Sequence, residues 1–272
     1  MITVLGSTGF IGSGLVAFLR KSGQECFTPE RDLDLAGLPH LGHVINCIGL
    51  TADFRQRPME TVEAHVCKVL ELLRKTRFDS FLYLSSTRVY NNADEGEETA
   101  GLRVNPTDFS DLYNLSKLMG ESVCLAVPDR NVRIARLSNV IGNDLGSGNF
   151  IFSLIRDAVD KDRIILGQPL DQAKDYIGID DVLRLLFDIA TKGKQRLYNI
   201  ASGIPVSNRE VVEKISAVTG CAVEAAGGQN GMNFPRISIR RIEEEFSFRP
   251  ANVLDNLQGI INNYKQSKND TH

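Results

Sequence analysis

No Cys-x-x-Cys pair occurs in this chain of 272 residues; its five cysteines, Cys26, Cys47, Cys67, Cys124 and Cys221, are scattered, several inside apolar runs. No dithiol or metal motif is expected. Thiols set among hydrophobic residues behave as small apolar side chains, which fits a reducing, cytoplasmic setting. A Lys/Arg-rich block is also missing. Thirty-one basic residues stand against 34 acidic ones, for a net charge of −3, so the footprint of a nucleic-acid binder is absent and a phosphate-bearing ligand has to be met locally. No apolar run reaches the length of a membrane span. The apolar N-terminus has no basic lead, is broken by Gly6, Gly9 and Gly12, and carries its charges later, at Arg20 and Lys21; it reads as mature structure rather than a secretory signal. There is no internal repeat and no low-complexity segment. What remains, with 42% apolar and 24% charged residues, is an ordinary globular chain able to bury a large core.

From Met1 onward short apolar runs alternate with longer helical periods, the pattern of β-α-β units and a parallel sheet. Strands are expected at Ile2 to Leu5, Cys26 to Thr28, His43 to Ile48, Phe81 to Leu84 and Val132 to Leu137. Ile11, Leu15, Phe18 and Leu19 form one helical face ended by Gly23, and Val62, Val66, Val69, Leu70 and Leu73 mark a second helix. Leu115, Leu118 and Met119 begin another. The stretch from Pro29 to Gly42 is too short and broken for a crossover helix, so a reduced connection is expected there. After Asn139 glycines punctuate short elements. Asp180 is expected to cap a helix carrying Val182, Leu185, Leu186 and Ile189, and Leu197 to Ile200 reads as one more strand. Ser207 with Glu210 is a capping box for a helix stopped by Gly220. Leu254, Leu257, Ile261 and Tyr264 stripe a last helix, and a polar tail follows Lys265.

Three local features carry chemistry. Gly6-x-x-Gly9-x-x-Gly12 lies between the first strand and the first helix, where glycines allow a tight turn, close approach of a pyrophosphate to backbone N–H groups, and helix-on-strand packing. Tyr113 and Lys117 are four residues apart on one helix, which puts a phenol and an ammonium on the same face. A cation nearby lowers a phenol's pKa from its usual value near 10, and the pair can then act as general acid and base. Ser85-Ser86-Thr87 closes a buried strand at its carboxyl edge, where ligands bind in open α/β sheets.

Together these elements closely resemble the short-chain dehydrogenase/reductase superfamily, in particular its extended branch of nucleotide-sugar epimerases, dehydratases and reductases. The resemblance extends to Ser86-x-x-Val89-Tyr90, Arg136-Leu-Ser-Asn139-Val-Ile-Gly142, Asp175-Tyr176-Ile177 before Asp180-Asp181-Val182, and Tyr198-Asn199-Ile200-Ala-Ser-Gly203. It implies a Rossmann-like, doubly wound parallel sheet with a small C-terminal substrate lobe. Residues 1–140 with 177–200 would form the dinucleotide-binding domain, 141–176 with 201–265 the lobe, and 266–272 a polar tail. It implies Tyr113, Lys117 and Ser86 as catalytic residues. Gly6, Thr8, Gly9, Phe10, Ile11, Gly12, Glu30 and Arg31 would join Tyr113 and Lys117 around the nicotinamide cofactor. Ser86, Thr87, Arg88, Asn139, Lys174 and Arg236 would face the substrate, the last two as cations for its diphosphate. Glu30 suits the ribose of NAD, whereas Arg31 suits a 2′-phosphate, and the run after this strand is similar to that of NADP(H)-using relatives; NADP(H) is favoured over NAD(H). A homodimer through helices near 57–75 and 112–127 is also implied.

The sequence departs from the family pattern in two places that matter. Arg88 stands where dehydratases and decarboxylases carry an acid, so a 4,6-dehydratase is not expected, and the Cys and His of relatives that epimerise next to a ketone are missing. His65 takes the place of a common Asn, and a structural role is expected for it. The expected enzyme is an NAD(P)-dependent oxidoreductase on a nucleotide-activated sugar, a 4-keto-sugar reductase ahead of a 4-epimerase. Reduction of a non-nucleotide carbonyl compound is a third activity compatible with these residues, and a non-catalytic dinucleotide sensor or scaffold is a fourth possible role.

Overall fold

The computed structural model describes residues 1–51, 53–144, 146, 148–225 and 233–269. The first half of the chain runs β1 (Ile2–Leu5), α1 (Phe10–Lys21), β2 (Cys26–Phe27), β3 (His43–Asn46), α2 (Pro58–Val62), α3 (Lys68–Lys75), β4 (Ser80–Ser86), α4 (Leu112–Leu125) and β5 (Val132–Leu137). There follow β6 (Asn139–Ile141), α5 (Phe150–Asp160), β7 (Arg163–Leu166), β8 (Ala173–Gly178), α6 (Ile179–Lys192), β9 (Leu197–Ile200), β10 (Pro205–Ser207), α7 (Asn208–Thr219), β11 (Ala222–Ala225), α8 (Arg240–Phe246) and α9 (Val253–Asn269). Six strands make one parallel sheet in the order β2-β1-β3-β4-β5-β9. The chain starts in the middle and winds outward both ways, so the order reverses between β1 and β3 and opens a crevice at the carboxyl ends of those strands.

Both faces of this sheet are covered, which is why β1 and β4 are buried along nearly their whole length and read as continuous apolar runs. One face packs Leu15, Val16 and Leu19 of α1 and Val182, Leu185, Leu186 and Ile189 of α6; the other packs Val69, Leu72 and Leu73 of α3 and Cys124 of α4. Between β2 and β3 only a 3-10 turn at Leu35–Gly37 forms, as the short, broken connection requires. A second core gathers α5, α7 and α9 over β7 and β8, with Phe152, Ile155, Val211, Ile215, Leu257 and Ile261 inside. Small sheets of β10-β8-β6 and β11-β7 belong to this half.

Several expectations need correction. Asp180 does not cap α6; Gly178 holds that position without a side-chain bond, and Asp180 lies in the first turn. The tail does not begin after Lys265, because α9 continues to Asn269 and Lys268 pairs with Asp160 at 3.2 Å; residues 270–272 lie outside the described residues. Ile242 and Phe248, placed with the lobe from sequence, pack instead into the main core against the sheet. The helix read from Val62 to Leu73 is α2 and α3 joined by a π-helical turn at Glu63–Cys67. The extra residue per turn rotates the buried face onto Thr61, His65, Val69 and Leu72, and Leu70 is left exposed.

Candidate active site

The first β-α turn forms because glycine is required at two of its corners. Gly6 has φ +71°, and a Cβ there would lie 2.9 Å from the backbone of Cys47 and Ile48; a Cβ on Gly12 would overlap the Gly6 carbonyl oxygen. The backbone of α1 thus comes tightly down on β1, and its N-terminus carries no side-chain cap. Gly9, Phe10, Ile11 and Gly12 line a cavity of about 450 Å³ at the carboxyl edge of the sheet. Uncapped N–H groups at the start of a 12-residue helix, facing a cavity, are what a pyrophosphate needs. The residues fit a dinucleotide on this observation.

The same cavity receives residues from five other elements. β3 runs out into Cys47, Ile48 and Gly49; β4 delivers Ser85, Ser86, Thr87 and Arg88; α4 delivers Tyr113 and Lys117; and the β6 and β8 strands bring Asn139, Lys174, Asp175 and Tyr176. Helix α4 is unusual in the face it buries: Tyr113, Asn114, Ser116, Lys117, Gly120 and Glu121 are inside, while Met119 is 55% exposed. A helix that turns its polar stripe inward needs partners for every group there. It has them. Lys117 Nζ donates to the Leu84 carbonyl at 2.9 Å, and Ser85 donates to Glu121 at 2.5 Å. Glu121 accepts both Nε and Nη2 of Arg136, at 2.9 and 2.7 Å.

Burial holds the Tyr113 hydroxyl above its usual pKa of 10.0, opposed by its hydrogen bond with Ser86 and by the charge of Arg88. Burial also lowers Lys117, from 10.5 to about 7, against the pull of Glu121. Cys47 is pushed up to about 12 by burial, so its thiol is inert despite facing the cavity. His65 is fully buried in the π-turn. Its Nε2 accepts the Leu50 N–H at 3.2 Å, its Nδ1 lies 2.9 Å from Ser116 Oγ, and its ring stands edge-on to Tyr113 at 5.5 Å. Burial, and then the nearby Lys117 charge, lower it to about 2, so it is a neutral strut between the loop after β3 and α4.

The lowered Lys117 has a consequence for stability. Between pH 7 and 10.5 the unfolded chain binds a proton that the folded one does not, so folding stability rises with pH across that window and falls as pH drops through it. Lys117→Met removes this dependence. In urea unfolding followed from pH 10 to pH 7, the variant is expected to gain steadily on the wild type, with the gap constant below pH 7; a gap independent of pH would refute the assignment.

Not every residue singled out from sequence reaches the cavity. Glu30 and Arg31 are exposed and do not line it; Arg31 instead borders a shallow depression with Lys68, Glu71 and Lys75. Gly6 and Thr8 shape the turn from outside the lining. Arg236 is exposed, and its Nε donates to the Gly203 carbonyl at 2.8 Å rather than entering the cavity. Conversely, no pattern in the sequence pointed to Phe54, whose buried ring lies 5.3 Å from that of Tyr113. It sits in an aperiodic loop. Tyr176, whose hydroxyl is buried without a partner, was inside a recognised motif, and its place at the end of a sheet strand was the available signal.

A doubly wound sheet with a glycine turn at its switch point and a Ser-Tyr-Lys cluster at its carboxyl edge defines a dinucleotide-dependent enzyme of the extended short-chain dehydrogenase/reductase type. Residues 2–201 match the NAD dependent epimerase/dehydratase family, and the chain belongs to that family. No curated protein matches it. Among solved structures it is similar to MoeE5 in complex with UDP-glucose and NAD, at 21% identity and TM-score 0.80, covering 98% of this chain and 99% of that one. RMD from Pseudomonas aeruginosa complexed with NADPH is 22% identical with TM-score 0.82, over 97% of this chain and 99% of that one. The UDP-glucose 4-epimerase of Thermotoga maritima, with UDP-glucose, is 16% identical with TM-score 0.81, over 98% and 99%. At these identities the likeness speaks to the fold. Among the described residues no helix is long and apolar enough to cross a membrane.

Proposed function

We propose that the protein reduces a keto group, at C4, of a nucleotide-activated sugar. The observation that carries this reading is the convergence of Tyr113, Ser86 and Lys117 at one wall of the cavity, with a cation, Arg88, at the position two residues after Ser86 where a dehydratase carries its acid. That set manages a hydride and one oxygen-bound proton, and nothing more. When bound, the nicotinamide supplies the hydride. Tyr113 gives its phenolic proton to the substrate oxygen, and Ser86 donates a hydrogen bond to the same oxygen. Lys117, anchored on the Leu84 carbonyl, holds the cofactor ribose and stabilises the phenolate that Tyr113 becomes. Asn139 and Lys174 reach the diphosphate; Asn139 is steadied by donating to the Asp175 carbonyl at 2.8 Å. The lobe built on α5, α7 and α9 covers the sugar nucleotide.

NADP(H) is the favoured cofactor, through Arg31 on a 2′-phosphate. The exposed apolar side chains of Met59, Leu70, Met119 and Leu125 on the helices near α3 and α4 support a homodimer through that face, and five free cysteines suit a cytoplasmic setting. The test follows absorbance of NADPH and of NADH, each with a panel of 4-keto nucleotide sugars. Sustained, stoichiometric loss of absorbance with NADPH is expected. Interconversion of two hydroxyl epimers with no net loss would replace this reading by a 4-epimerase, and faster turnover with NADH would overturn the cofactor preference.

A further inference from the structure

Arg88 is the cation that the chemistry above leaves without a task. The 3-10 turn that begins at Thr87 is fixed by the Arg88 N–H, which donates to Ser86 Oγ at 3.2 Å, so Arg88 is held beside the catalytic hydroxyl. Its guanidinium carbon lies 5.1 Å from the Phe54 ring centroid and 5.4 Å from that of Tyr113. One terminal nitrogen, Nη2, donates to the carbonyl and the hydroxyl of Ser110, both at 3.2 Å. Nε is buried with no partner, and among the described residues no carboxylate forms an ion pair with this guanidinium.

Its neighbours worsen the imbalance. Arg55 and Lys174 act on it or are acted on by it as like charges, and after burial the Arg55 repulsion is a larger single influence than the attraction of Tyr113, Asp111 or Asp108. Asp175, which lines the same cavity, is already engaged by the N–H and hydroxyl of Ser202 at 2.9 and 3.0 Å. A half-buried, under-bonded cation among other cations is costly unless an anion completes the site. Guanidinium is also the group best shaped for a carboxylate. On the proposed reading the diphosphate lies toward Asn139 and Lys174, and the Arg88 guanidinium is the cation set against the Tyr113 ring, where the reacting carbon sits.

We propose that Arg88 binds a carboxylate carried by the sugar itself, so that the substrate class is a nucleotide-activated acidic sugar. This rests on the nucleotide-sugar reading of the site. The test measures, by calorimetry on the full chain saturated with NADPH, the affinities of matched neutral and uronate pairs: UDP-glucose against UDP-glucuronic acid, and the equivalent pairs on GDP and dTDP. These stand for the hydroxyl-bearing side of the reaction. In the nucleotide series that binds, the uronate is expected to bind at least tenfold more tightly, the scale of one hydrogen bond to a charged group. Arg88→Gln is expected to bring the ratio close to one and Arg88→Lys to keep part of it, with NADPH binding of each variant serving as the check on folding. Equal affinities in the wild type, or a preference that survives in Arg88→Gln, would overturn the proposal and leave the nucleotide-sugar reading standing. Failure of every nucleotide sugar to bind would overturn both.

Discussion

Tyr113→Phe is expected to lower turnover by about a hundredfold to ten-thousandfold, the usual contribution of a general acid, with little change in cofactor affinity. The phenyl ring still fills the space against Phe54 and His65, whose ring centroids are 5.3 and 5.5 Å away, so the wall of the cavity is preserved. Only the hydroxyl and its hydrogen bond with Ser86 are lost. On the proposed reading the dinucleotide is held elsewhere, at the start of α1 and by Lys117. Single-turnover rates together with NADPH titration separate the two effects. A Phe variant with near-wild-type rates on a working substrate would refute the role given to Tyr113, and a variant that lost cofactor binding instead would show the residue to be mainly structural.

The second large effect is on stability. Arg136→Met is expected to cost about 3–5 kcal/mol, because it strands Glu121 as an uncompensated buried charge. Arg136 and Glu121 are both under 6% exposed and make a two-pronged pair, while Nη1 of Arg136 also donates to Tyr90 at 2.7 Å. The Tyr90 hydroxyl in turn donates to Asn199 at 2.9 Å, linking the turn after β4 with α4, β5 and β9 behind the cavity wall that carries Tyr113. The double variant Arg136→Met, Glu121→Leu removes both charges and is expected to recover most of the loss. Urea unfolding of the wild type, the single variants and the double variant closes this cycle. A double variant no more stable than Arg136→Met would mean that the cost lies in packing rather than in charge.

The parallel sheet was legible because its strands, β2 excepted, are short buried apolar runs and its crossovers, apart from the 3-10 turn between β2 and β3, are amphipathic or glycine-bounded helices, so local pattern and burial agree. Past Asn139 they part company. Strands β6, β7, β10 and β11 are three or four residues long, too short for alternation to register. Helix α5 opens with Phe150, Ile151 and Phe152 in a row, a run that fits a strand as well as a helix. The Tyr113–Lys117 pair was legible through its spacing, yet the apolar residues used to locate α4 point largely away from the core, since that helix buries polar groups. Phe54 and the π-turn were invisible for opposite reasons: a loop has no period to read, and one inserted residue leaves the apolar spacing on either side intact.

That inserted residue sets a limit on how this protein tolerates change. The buried position of His65 depends on the π-helical turn at Glu63–Cys67, a property of backbone length rather than of any one side chain. Loss of a single codon there would restore a continuous α-helix and turn Pro58–Val62 through about 100° relative to Lys68–Lys75. Thr61 and His65 would swing out together, and the strut between the β3 loop and the Tyr113 helix would go with them. Along this stretch a one-codon deletion is therefore a larger event than a missense change, and reading-frame-preserving indels should be purged from it more stringently than substitutions.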